Sequence, residues 1–220
     1  MPTGTEIDHD AARRAILEAT LPHVPFDGWS QPALNAGARD AGHDETMVVR
    51  VFPGGPIDAI VFWSRDADRR MLADLAALDL ASMKVRARIA TAVRLRLQAV
   101  VQHREALRRA LGVLALPHNA PRGGELTWRT VDAIWWAAGD TATDWNFYSK
   151  RGLLAGVYGA TLLRFLEDRS EGCAETWEFL DRRIEDTLRI PQALASLRAR
   201  LPRLPDPFAL LRGCAPSARR

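Results

Sequence analysis

No stretch of the 220-residue chain alternates between apolar and polar residues for long, whereas apolar residues recur at spacings of three and four almost from end to end. Such spacing stacks side chains on one face of a helix, while a strand needs a period of two. The chain is therefore expected to be all-α, each helix burying one stripe against the others. With 47% apolar and 26% charged residues it has material for a buried core and lacks the composition of a disordered chain. The longest nearly apolar run, Gly152 to Leu163, is bounded by Arg151 and Arg164 and is too short to cross a bilayer. Any membrane contact is expected to be peripheral.

Start and stop signals place the helices. Ala11 to Leu21 follows Asp8 or Asp10 and is ended by Pro22 and Pro25. Ser30 caps a helix to Ala41 with Gly42 as its stop, and Asp44 caps a third, Glu45 to Phe52. Pro56 suits the first turn of a longer helix to about Leu78. Helices are then expected over Ser82 to Val101 and His103 to Leu116, a turn over Pro121 to Gly124, and helices over Glu125 to Ala138, Asp144 to Glu167 and Ala174 to Arg189, with a shorter one after Pro191. This punctuation divides the chain into a helix-turn-helix-like module (1–56), a larger helical part (57–200) and a Pro/Arg-rich tail (201–220). Charge follows the division, with eight acids against four arginines in residues 1–56 and seven arginines against Asp206 in residues 189–220.

The first three helices have the lengths and spacing of a helix-turn-helix unit. ILEATLPHVPFDGWSQPALNAGARDAG, followed by Asp44 to Phe52, resembles the N-terminal module of TetR-type regulators. Its third helix would enter the major groove carrying Asp44, Glu45, Met47, Val48 and Val49. A net acidic face repels phosphate, so nucleic acid is not expected as a partner. Catalytic sets are equally scarce. His9, His23, His43, His103 and His118 are scattered, only Glu6 to His9 fits ExxH, and GxSxG, Walker and GxGxxG motifs are missing. Cys173 and Cys214 stand apart without CxxC spacing, and MPTGTEIDHD has no targeting character, which suggests a reducing, cytosolic setting. The chain is read as no enzyme, with no catalytic residue, metal or cofactor.

The seven tryptophans say more. Trp128, Val131 and Trp135 fall on one helical face, beside a helix notched by Gly152, Gly156 and Gly159. Small residues leave a groove that an isoprenoid tail or a partner helix could fill. The expectation is a lipid pocket lined partly by Trp128, Trp135, Tyr158 and Leu162. Core filling and close helix packing remain open alternatives for the same residues.

ILEATLPHVPFDGW, FPGGPIDAIVFW, KVRARIATAVRLRLQAVVQHREALRRALGVLALPHNAP, WRTVDAIWWAAGDTATDWNFYSKR, LLAGVYGATLLRFLEDRSEG and TWEFLDRRI, in this order, resemble the bacterial form of the ninth coenzyme Q protein family, accessory proteins of ubiquinone biosynthesis. The resemblance covers most of residues 14–190. It implies a TetR-like fold that no longer needs DNA, a pocket for an isoprenoid quinone precursor or phospholipid, and a homodimer. It also implies a partner, the di-iron demethoxyubiquinone hydroxylase, met by the aromatic patch of which Trp145, Phe147, Tyr148 and Arg151 are the counterparts here. The order of Trp and Phe in that patch is changed from the family pattern. The resemblance further implies a C-terminal amphipathic segment that docks on membrane, here Phe208, Leu210 and Leu211 among arginines that suit an anionic surface. The expected protein is a cytoplasmic one, peripheral to the bacterial inner membrane, that presents the head group of its lipid to the hydroxylase. A TetR-type ligand-sensing regulator is the alternative.

Overall fold

The computed structural model describes the backbone of residues 9–139 and 145–200 and the side chains of residues 9–139 and 148–187. Among the described residues there are helices and turns and no strand. The first four helices are α1 (His9–Thr20), α2 (Val24–Asp27), α3 (Gln31–Asp40) and α4 (Glu45–Val51). Ser30 Oγ accepts the Ala33 N–H at 3.3 Å and Asp44 Oδ1 accepts that of Met47 at 2.9 Å, so both expected caps form. Each satisfies an amide that the first helical turn leaves without a partner. Pro25 does not simply end α1; it lies in the first turn of α2, where its missing N–H costs nothing.

The larger part follows as α5 (Pro56–Ala76), α6 (Val85–Gln98), α7 (Arg104–Leu114), α8 (Ala120–Ala137), α9 (Trp145–Glu167) and α10 (Ala174–Arg200). Two sequence expectations are corrected here. Pro121 to Gly124, read as a turn, is the opening of α8, because a proline at the first turn starts a helix as readily as it ends one. The two helices expected on either side of Pro191 are one, α10, and Ile184, Leu188, Pro191 and Leu194 keep the apolar spacing of three and four across it.

One apolar core runs from α1 to α10, with Ile16, Leu34, Val48, Ile60, Leu97 and Phe165 fully buried. Gly37 of α3 sets the closeness of α1 and α3, since a Cβ there would lie 2.7 Å from the Thr20 backbone. Trp29, between α2 and α3, ties the first module to the larger part. Its ring lies 5.5 Å from that of Trp63 on α5, and its indole N–H donates to the Ala106 carbonyl of α7 at 2.9 Å. At the other end Asp168, just after α9, accepts the Ser170 and Thr176 amides at 2.7 and 2.8 Å and so reaches the first turn of α10.

Candidate functional site

α5 to α9 do not close completely on one another. They leave a cavity of about 280 Å³, walled by Ile60 and Trp63 of α5, Leu107 and Leu111 of α7, Leu126 of α8 and Leu162 of α9. The apolar stripes that make these helices amphipathic supply the walls. The rim is formed by Ala115, Ala120 and Gly123 at the α7–α8 turn, where Leu116 stands 46% exposed.

Away from the rim the lining is polar. Arg96 of α6, Thr130 of α8 and Tyr158 of α9 are all buried and all face the cavity. Arg96 Nε donates to Asp68 Oδ1 at 2.6 Å, and Thr130 Oγ1 donates to the same oxygen at 2.8 Å. Arg96 Nη2 donates to the Ser64 carbonyl and Oγ at 3.2 and 3.1 Å. Asp68 Oδ2 is buried without a hydrogen-bond partner among the described residues. Burial pushes the Tyr158 hydroxyl above its ordinary pKa; Arg96 pulls it back and Asp68 adds to the rise. The hydroxyl is therefore a neutral donor at physiological pH. A buried ion pair of this kind is a poor source of net stability, because desolvation offsets the attraction.

The expected lipid-lining residues divide. Tyr158 and Leu162 line this cavity, and Trp128 and Trp135 do not. Trp135 lies in a smaller apolar cavity of about 150 Å³ with Ile89, Leu154, Val157 and Ile184, its N–H donating to the Lys150 carbonyl at 3.2 Å. Trp128 is on the outside, 38% exposed, stacked on Tyr148 at 6.2 Å between ring centroids. Seven residues separate Trp128 from Trp135, about 10 Å along a helix, so a shared face does not bring both to one small cavity.

Of the expected partner-binding residues, Tyr148 is 61% exposed, and with Trp128 and the 71% exposed Trp136 it gives an aromatic outer surface. Arg151 is elsewhere: it is buried, with Nε 2.6 Å from Asp132 Oδ1. The side chains of Trp145 and Phe147, and the whole of Phe208, Leu210 and Leu211, lie outside the described residues. The sequence reading missed Arg96, Asp68 and Thr130. A signal existed in α5, where Ile60, Ser64 and Asp68 follow at steps of four along a buried face.

Within the described residues no group of three or more His, Cys, Asp or Glu side chains could hold a metal ion, and no helix is long and apolar enough to cross a membrane. On α4, Glu45 is bridged to Arg39 at 2.7 Å.

Fold and cavity together define the chain as an all-helical, TetR-like protein with a partly open cavity among α5 to α9. The TetR transcriptional regulator of Nitrosomonas europaea superposes with a TM-score of 0.69 at 20% identity, over 81% of this chain and 99% of that one. At that identity the likeness concerns the fold alone. Residues 120–191 match the COQ9 family model. "Ubiquinone biosynthesis protein COQ9, mitochondrial" of Drosophila melanogaster is 32% identical over 190 residues, covering 84% of this chain and 58% of its own length. The protein of the same name from Homo sapiens is 31% identical over 184 residues, covering 80% of this chain and 57% of its own length. The chain thus spans less than two thirds of these relatives.

Proposed function

We propose that this chain is a lipid-binding accessory protein of ubiquinone biosynthesis, which binds an isoprenoid quinone precursor or a phospholipid at an anionic membrane surface and presents polyprenyl quinone precursors to the di-iron demethoxyubiquinone hydroxylase. The observation that carries the reading is the apolar-walled cavity rimmed by the α7–α8 turn. It is close to the lower end of the size range of small-molecule sites, and its few polar groups converge on one region, as they do where a ligand is oriented. The exposed Trp128, Trp136 and Tyr148 support the second half of the reading, since clustered aromatic surface is the usual anchor of a protein partner. A homodimer, held peripherally at the cytoplasmic face of the bacterial inner membrane through Phe208, Leu210 and Leu211, completes it.

Mass spectrometry of lipids extracted from the purified protein tests the proposal. An isoprenoid quinone precursor or phospholipid in roughly stoichiometric amount is expected. Lipid-free protein that also takes up none from anionic vesicles overturns it.

A further inference from the structure

The cavity's polar groups are placed unevenly, and that unevenness bears on how a ligand lies in it. Towards the α7–α8 rim the lining is Leu111, Leu114, Ala115, Ala120 and Gly123, the alanines exposed. Away from the rim it is Arg96, Thr130 and Tyr158, at 5%, 1% and 5% exposure. Polar groups this deeply enclosed are normally satisfied within the protein. One of them is not fully used. Arg96 commits Nε to Asp68 and Nη2 to Ser64, while its Nη1 takes no partner among the described residues. Tyr158, buried and with its hydroxyl kept protonated, lines the cavity beside it. The bonds to Asp68 and Ser64 fix the plane of the guanidinium, so its remaining edge is oriented before any ligand arrives.

We infer that an amphiphile enters this cavity head first, its oxygen-bearing ring accepting hydrogen bonds from Arg96 and Tyr158 and its apolar tail leaving past Ala115 and Ala120. The inference rests on the lipid-binding reading above and adds the orientation and the two recognising residues. A tail laid inward would press methylenes against two buried donors and offer them no acceptor. A ring with carbonyl, methoxy or phenolic oxygens supplies acceptors. Size agrees: a cavity of roughly 150 Å³ admits a benzene ring, and this one is about 280 Å³. It therefore holds a substituted ring and the first few carbons beyond it, with no room for a long polyprenyl chain. The tail then stays with the bilayer, since every methylene exposed to water costs free energy, and release is a withdrawal of the head group through the α7–α8 rim.

Calorimetric titration of the protein with a dimethoxy-methyl-benzoquinone bearing a decyl tail, and separately with decylbenzene, which has the tail and a ring but no oxygen, tests the inference. Wild type should prefer the quinone. Tyr158→Phe should weaken quinone binding about tenfold, the worth of one hydrogen bond, and leave decylbenzene binding unchanged. Arg96→Met should act in the same sense and more strongly; should it fail to fold, Tyr158→Phe carries the test alone. A bulky dye on the far end of the decyl tail should leave quinone affinity unaltered, because that end lies outside. Equal wild-type affinity for quinone and decylbenzene, equal losses for both in the variants, no loss for the quinone, or exclusion of the dye-bearing ligand would each overturn head-first binding while the lipid-binding reading stands. Failure of wild type to bind either ligand overturns both.

Discussion

Arg151 Nε lies 2.6 Å from Asp132 Oδ1, joining the first turns of α9 to the face of α8 between Trp128 and Trp136. The arginine is buried and the aspartate half-exposed, so the pair holds the aromatic surface in place from beneath.

From this follows a contrast between neighbours. Arg151→Ala should lower stability by about 2–4 kcal/mol, since a buried long side chain and its charge partner are lost together. Tyr148→Ala, at an exposed position, should change stability by less than about 0.5 kcal/mol and still weaken co-purification with the hydroxylase. Chemical denaturation and pull-down on both variants check this; equal melting behaviour would refute the placement of Arg151.

Gly37→Ala should destabilise the first module. The added methyl would meet the Thr20 backbone at 2.7 Å, and backbone cannot rotate away as a side chain can. A cost of about 1–3 kcal/mol is expected for overpacking of this kind, read as a lower midpoint in urea.

Asp168 links stability to pH. Burial alone would raise its pKa, but hydrogen bonds from Ser170 and Thr176 outweigh that and hold the carboxyl well below the usual carboxylate range. A depressed folded-state pKa gives stability that is fully present above the unfolded value near pH 4 and is lost as pH falls through and below it. Asp168→Ala should therefore melt lower than wild type at pH 7, by about 1–2 kcal/mol for the lost acceptor of two amides, and the gap should shrink as pH drops below about 4. A gap that stays constant between pH 7 and pH 3 would count against this.

Ala115→Trp should narrow the cavity rim at an exposed site. Surface substitutions usually cost within about 0.5 kcal/mol, so the fold should survive while lipid recovered from the purified protein falls several-fold. Undiminished lipid content would place the opening elsewhere.

How much of this was legible in the chain depends on how local each signal is. Ser30, Asp44 and Pro56 work within one helical turn of themselves, and all three helix starts were readable. Tyr158 and Leu162, four apart on α9, were readable as one face and do share the cavity. Arg96 was not, because an arginine in a basic amphipathic helix looks solvated. Its burial depends on Asp68 and Ser64, 28 and 32 residues away, through the packing of α5 on α6. Arg151 misled for the same reason. Next to a helix break it reads as surface, and only the approach of α8 shows where it lies.

Trp63 has two sides, one to the cavity and one to Trp29, whose indole also grips α7. The N-terminal helices therefore serve as the back of the cavity. Stripping that module away would expose Trp63 and let water reach the apolar wall.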